Sequence, residues 1–552
     1  MSVDKVILYG IGVKGADIYT ADGVGDPRLT LSVQLVRGAT DDAIQSGVNS
    51  VLAMNRQDAL EDLVVLAFQT RDIRGGKGER LIFHKMIYSL YDVYPTLVAR
   101  LLDLIPEYGY WKDFFAISST LPTLLEPSFV ISKHALETDE LACHLDENMS
   151  LFAKWVPKQG KSMDAYAKGF AKYLYPNMIH AAAMATYRRR ITTLNAALRT
   201  VQTYMCSDQW DKIDPKMVPA VERKKGRAGY MNEVITKKGE PKSSTLRHPD
   251  DEKRMACRAK FQEFFANAAK GNVKISGAQT LYPHEVVKKM FETDDTDVDS
   301  INELNAIWAA MEVKAAEGGG LGKCVFMGDF SGSMMCSSQV DTPYWVSMAM
   351  CFLGSSAAKG PFKNKFMTFD STPKWHTFAD TDTTLHSKKV SFKANGRMGQ
   401  GTSTNFQAAG DLLIKDMKKA RTPVGEEPLD IVVVTDMGFD EAGDTGFSYN
   451  SKDLPFETHI EMLRNNFGTT CWKAPRITVW NVSASYSDNF QATSTTDGTL
   501  LLSGWSPSLF KVLCEEGPRA QNPYEGLRIQ LDDPRYDPVR NRVREWYHTT
   551  LL

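Results

Sequence analysis

The hydrophobic period of this chain changes at the glycine cluster EGGGLGK (317–323). Before it, from about 41 to 316, segments such as DALEDLVVLAFQT, GERLIFHKMIYSLYDVY and TLVARLLDLI place apolar residues three and four apart, the spacing that gives a helix one apolar face. After it, the runs KCVFM, NKFMTFD, LDIVVVTD, RITVWNVSA and TLLLSG alternate with helical segments YWVSMAMCFLGSSA, NFQAAGDLLIKDMKKA, ETHIEMLRNNF and PSLFKVLCEEG. Continuous apolar strands separated by helices predict a mostly parallel sheet covered on both faces. The expected class is therefore α+β multidomain: a HEAT-like α-helical array followed by an α/β doubly wound, Rossmann-like domain.

The flanks extend this division. Residues 1–40 alternate in the strand manner, with VILYG, the turn-rich ADGVGD and then LTLSVQLV, and predict a small β element. The helical array is expected over 41–316, the α/β domain over 317–517, and a C-terminal extension packing on that domain over 518–552. Residues 226–250, GRAGYMNEVITKKGEPKSSTLRHPD, lose the helical period and gain Gly, Pro, Ser and Lys, which predicts a long loop or insertion.

Composition narrows the function classes. No window reaches the roughly 18 consecutive apolar residues of a membrane span, and glycine and charge interrupt the apolar run of the N-terminus, so the chain reads as cytosolic. Its eight cysteines are scattered without a CxxC and are expected as reduced thiols. The net charge of -2 hides a basic middle: residues 151–275 hold 25 Lys+Arg against 11 Asp+Glu. Such a local excess is an electrostatic footprint for a polyanion, although solvated helix faces produce the same composition.

The densest polar motif is FMGDFSGSMM (326–335). Asp329, Ser331 and Ser333 follow the first apolar strand, Thr404 precedes the helix NFQAAGDLLI, and Asp436 ends the strand DIVVVTD. Polar residues at the carboxyl ends of parallel strands lie where open α/β sheets bind ligands. A turn with a helix N-cap would explain DFSGS alone, whereas three elements in order on one sheet edge favour a site. The trio resembles the metal-ion-dependent adhesion site (MIDAS) of the von Willebrand factor A (vWA) family. That resemblance implies a hard cation, Mg²⁺ or else Mn²⁺ or Ca²⁺, held by the hydroxyls of Ser331, Ser333 and Thr404, with Asp329 and Asp436 acting largely through water. Such an ion can accept an acidic side chain or a phosphate from a partner. Many vWA domains place Gly directly after the final Asp; here Met437 intervenes before Gly438, and Asp440 is a further carboxylate close by.

Other chemistries fit less well. GGGLGK lacks the spacing and the Ser/Thr of a phosphate-binding loop, Ser331 lacks the GxSxG elbow of a nucleophile, and no histidines pair as HExxH. Asp295, Asp297 and Asp299 imitate the start of a calcium loop, but Ser300 stands at the obligatory glycine and Ala306 at the bidentate glutamate. A helix N-cap is the expected role there. No catalytic residues are assigned and the expectation is not an enzyme, with no small-molecule substrate evident.

A helical array followed by a vWA domain resembles the Ro autoantigen (TROVE) family, whose helical ring binds RNA. More specific matches resemble the domain-of-unknown-function 2828 family of plants, fungi and large viruses: RDIRGGKGER (71–80), IPEYGYWKD (105–113), LYPHEVV (281–287), GDFSGSM (328–334), TNFQAAGDLLI (404–414), VVVTDMGFDEA (432–442) and LLSGWSPSLFK (501–511). The resemblance spans roughly 45–545 and implies a binding protein, with RNA entering through the Ro likeness.

Cations at helix ends and in loops can track phosphates. The candidates are Arg188, Arg189 and Arg190 after AAAMATY, Arg223, Lys224, Lys225 and Arg227 after VPAVE, and Arg74, Lys77 and Arg80 around a glycine pair. Tyr187, Trp210 and Tyr230 are near enough in sequence to stack on bases, although such aromatics are more often core. The expected function is a cytoplasmic, non-enzymatic RNA-binding scaffold, a Ro-like ribonucleoprotein component whose metal site docks an acidic ligand. The alternative is a metal-dependent protein–protein interaction module, in assembly or virion packaging, that does not bind RNA.

Overall fold

The computed structural model describes residues 8–236, 241–275, 277–317, 319–335, 343–369, 372–394, 406–439, 458–514 and 519–550. The chain forms two compact units, Met1–Ile82 with Phe265–Asp537, and Phe83–Phe264 with Pro538–Leu552. Its class is mixed α and β, with a helical array towards the N-terminus and a mixed sheet towards the C-terminus.

The first unit is built on a six-stranded sheet of β1 (Cys324–Asp329), β2 (Lys365–Phe369), β3 (Lys374–Thr377), β4 (Asp430–Thr435), β5 (Arg476–Asn481) and β6 (Thr499–Ser503), in the order β6-β5-β4-β1-β2-β3. All neighbours are parallel except β3, which runs antiparallel to β2 on the edge. Every residue of β1, β4, β5 and β6 is buried, as expected for strands covered on both faces. The five apolar runs all became strands. The sixth strand, KWHT, has no apolar run to announce it, because of its four residues His376 alone is buried.

This is the strand order of doubly wound sheets, and it reverses beside β1, which pairs with β2 on one side and β4 on the other. The crevice at the carboxyl ends of β1 and β4 is therefore the topological switch point. The helix Pro343–Ala357 packs against β1 with no room to spare: a Cβ on Gly354 would lie 2.2 Å from Phe326 Cζ.

Two expectations for the flanks are corrected. LTLSVQLV is not a strand; Pro27–Gln34 is a helix, with the Asp26 side chain accepting from Arg28 N and Pro27 in the first turn. An Asp-Pro start is an N-cap signal. The helix is buried from Arg28 to Val33, so its apolar residues carry no helical stripe and alternation was uninformative. The β element that does form is the short pair Tyr9–Ile11 and Asp17–Tyr19. Residues 226–250 are also not simply a loop. The helix Ala220–Tyr230 continues into them, and Glu233–Ile235 pairs antiparallel with Pro241–Leu246, where β-branched Val234, Ile235 and Thr245 favour extended backbone.

The described residues of PSLFKVLCEEG form a 3₁₀ segment, Pro507–Val512, rather than an α-helix, while an unforeseen helix covers Leu385–Ala394. The acidic stretch near 295 does cap a helix: Asp297 accepts from Ser300 N at the start of Val298–Ala315. The seven cysteines among the described residues form no disulfide with one another.

The second unit is helical, with its core under helices Leu125–His144, Asp164–Leu174 and His180–Ala197. Phe115, Phe129, Tyr166 and Phe170 form its aromatic centre. Its C-terminal segment is held by the Arg542–Asp103 ion pair and by Trp546 Nε1 donating to Thr96 Oγ1 at 3.0 Å.

Candidate functional site

β1 ends at Asp329, and the next residues turn sharply because that carboxylate caps its own loop. Oδ1 accepts from Ser331 N at 2.9 Å, and Oδ2 accepts from the Thr435 hydroxyl of β4 at 2.9 Å. Thr435 Oγ1 in turn accepts from Met437 N at 3.1 Å. The two strand ends are thus tied through one buried carboxylate. Ser331 Oγ and Ser333 Oγ are 3.1 Å apart, and the Lys14 ammonium donates to Ser333 Oγ at 3.0 Å.

Asp436 follows β4. Its Oδ1 accepts from Gly438 N at 2.9 Å, while Oδ2 is buried without a hydrogen-bond partner among the described residues. The intervening Met437 is accommodated in the left-handed region at φ 68°, and Gly438 has no space for a side chain, since a Cβ would lie 2.7 Å from Tyr486 Cδ2. The loop therefore takes up the extra residue by backbone conformation.

Burial, followed by the charge of Asp436, pushes the Asp329 carboxyl up to about 7. Burial also raises Asp436, against the Gly438 amide, the Lys14 charge and the Ser333 hydroxyl. Two carboxylates forced together in low dielectric favour a bound proton or a cation. Asp329, Ser331, Ser333 and Asp436 are thus brought together as the sequence predicted; Thr404 and Asp440 lie outside the described residues. Lys14 was not foreseen, and no local pattern marks it. Among the described residues, no three or more His, Cys, Asp or Glu converge as a metal cluster.

The cations proposed for RNA divide into two groups. Lys77 lies in the interior, where its ammonium donates to Ser32 O, Leu35 O and Ser503 Oγ. Arg223 is also interior, donating to Val218 O at 3.1 Å. Neither faces solvent as a phosphate contact must. Arg227 is paired with buried Glu233, and Arg190 forms a two-pronged pair with Glu140 at 2.5 Å. Arg74, Arg188, Arg189, Lys224 and Lys225 are exposed, and Arg80 is half-buried.

Tyr187, Trp210 and Tyr230 are core residues. Tyr187 donates to Pro157 O, Trp210 carries Arg254 on its face, and Tyr230 stacks on Phe261. Within the second unit, however, a groove of about 1040 Å³ gathers Arg188 and Lys225 with Lys154, Lys158 and Trp155, against one acid, Glu222. Burial lowers the pKa of Lys154 while Glu222 opposes the shift. The sequence reading missed Lys154, Trp155 and Lys158, although KWVPK (154–158) carries the pairing of cations with an aromatic.

Residues 323–540 match the model of a domain of unknown function, DUF7788, which takes in all six strands and both buried aspartates. The motifs had pointed instead to the 2828 family. The chain is also similar to uncharacterized protein L728 of Acanthamoeba polyphaga mimivirus, with 25% identity over 499 residues, covering 86% of this chain and 80% of that protein. At the level of a domain without assigned function and a large-virus relative, these findings agree with the sequence reading.

Proposed function

We propose that this chain is a non-enzymatic RNA-binding scaffold whose RNA site is the groove of the helical unit. One observation carries the reading: Lys154, Lys158, Arg188 and Lys225 line a single groove beside Trp155, with Glu222 the one opposing charge. Cations that track a backbone, next to an aromatic face that accepts any base, are what single-stranded RNA requires. The order of a helical array followed by an α/β domain resembles that of the Ro family, and this resemblance supports the same ligand. The test is fluorescence-anisotropy binding of a single-stranded RNA across a salt series, in which affinity falls steeply with salt; binding that is weak and insensitive to salt overturns the reading.

A second reading concerns the sheet edge, and the unpartnered buried Oδ2 of Asp436 favours it. The residues present fit a hard divalent cation, Mg²⁺ or else Mn²⁺ or Ca²⁺: Ser331 and Ser333 would hold it through hydroxyls, Asp329 and Asp436 largely through water, in the manner of a vWA domain. When bound, the cation supplies an electron-poor centre for an acidic group of a protein or for a phosphate. The strand order and the position at the switch point support this vWA-like reading. Loss of a protein partner but not of RNA on Asp329→Ala would favour the interaction-module alternative.

A further inference from the structure

The Lys14 ammonium has a place at the sheet edge that neither reading uses. We infer that Lys14 is a tethered cation that competes with a divalent ion for the Ser333–Asp436 end of the site. The inference rests on the divalent-site reading given above and concerns how that site is regulated.

Lys14 sits in the connection between Tyr9–Ile11 and Asp17–Tyr19, a turn closed by Gly12 N donating to Ala16 O and Gly15 N donating to Gly12 O. The far strand is anchored. Tyr19 N donates to Phe490 O at 2.8 Å, and the Tyr19 hydroxyl donates to Glu461 Oε1 at 2.9 Å. The backbone of the turn is therefore held at the site, while the flexible four-carbon stem of Lys14 can carry its charge in or out.

With the charge in, Nζ is 3.0 Å from Ser333 Oγ and 5.3 Å from the centroid of Tyr486. Tyr486 is the ring that packs against Gly438, in the loop of Asp436. The ammonium thus stands among a hydroxyl, an aromatic face and a buried carboxylate, and it offsets the charge of Asp436.

A divalent ion on Ser333 Oγ would share that one oxygen with the ammonium. Two cations on one half-buried hydroxyl repel each other. Only one of them occupies the site at a time. The ammonium has three donors and no acceptor, so it satisfies oxygens without creating a centre that a partner's carboxylate can ligate. Ion entry and Lys14 exit are one exchange, and the lysine sets the ion concentration at which the site becomes competent for an acidic ligand.

The test is Mn²⁺ titration of the full chain, followed by electron paramagnetic resonance, in the natural protein and in Lys14→Met, Lys14→Arg and Asp329→Ala. Lys14→Met is expected to bind Mn²⁺ about tenfold more tightly, with Lys14→Arg staying near the natural protein. Equal affinity in the natural protein and Lys14→Met, with binding lost in Asp329→Ala, overturns the competition and leaves the divalent site standing. Weaker binding by Lys14→Met makes the lysine part of the competent site and also overturns it. Absence of Mn²⁺ binding in both the natural protein and Lys14→Met overturns the divalent site, and the competition with it. Thermal unfolding of each variant, expected to be unchanged for Lys14→Met, separates these outcomes from misfolding.

Discussion

Lys77 and Ser503 are 426 positions apart, and their side chains meet in the interior, Nζ donating to Oγ at 2.7 Å. The same ammonium reaches two carbonyls at the end of helix Pro27–Gln34, so one lysine fastens three segments of the first unit. Burial pushes Lys77 down to about 7, with Glu79 pulling the other way. Between that value and the ordinary lysine value the unfolded chain holds more protons, so this group's contribution to stability rises with pH. We expect the stability of the natural protein relative to Lys77→Met to grow by about 1.4 kcal/mol per pH unit between pH 7.5 and 9. Urea unfolding at the two pH values measures it, and a constant difference would refute it.

Asp329 works in the opposite sense. Its carboxyl is raised to about 7 in the folded chain, so the folded state holds the extra proton above the unfolded carboxylate value. The stabilisation is full below about pH 4 and is lost as pH rises through about 7. In a chelator, the natural protein should lose stability from pH 5 to 8 relative to Asp329→Asn. Parallel melting curves for the two proteins across that range would exclude it.

Asp430 opens β4 and is buried against two arginines, with Arg476 Nε at 2.6 Å and Arg519 Nη1 at 3.3 Å. Removing the carboxylate strands the Arg476 charge in the interior, which costs about 3–5 kcal/mol. Asp430→Ala should therefore unfold at much lower denaturant, and the double variant Asp430→Leu, Arg476→Met should regain most of the loss. Chemical denaturation of the three proteins decides this.

Gly354 fixes the spacing between helix Pro343–Ala357 and β1. A methyl group there meets the Phe326 ring, so Gly354→Ala should cost about 1–3 kcal/mol of overpacking strain. Phe326→Leu in the same chain should return part of it. Additive losses in the double variant would mean that the two residues are not coupled.

The groove predicts which arginines matter to RNA. Arg188→Glu with Lys225→Glu removes two groove cations and should lower the salt slope of RNA binding by about 1.4, near 0.7 for each lost phosphate contact on a single strand. Arg190→Glu should leave the slope alone while lowering stability, because Arg190 is committed to Glu140. Equal effects of both changes on the slope would move the interface away from the groove.

The sequence by itself determined the fully buried strands of the sheet and the two aspartates at the ends of two of them. A strand buried on both faces reads as an unbroken apolar run, and β1, β4, β5 and β6 are buried at every position. Asp329 and Asp436 were legible because a polar residue closing such a run has to lie at the sheet edge. Asp297 was legible for a local reason, since an N-cap involves only residues three apart.

Only the tertiary structure decided what depends on contacts across long separations. Pro27–Gln34 reads as a strand because it is enclosed on all sides, and full burial erases the helical stripe. Lys77 and Arg223 read as surface cations, yet each is spent on backbone carbonyls in the interior. Lys14 carries no local signal, and only packing of the N-terminal strand pair against the sheet brings it to Ser333, 319 positions away. Local patterns set which backbone conformation each segment favours, whereas the position of a flexible charged side chain is set by whichever acceptors the fold brings within its reach.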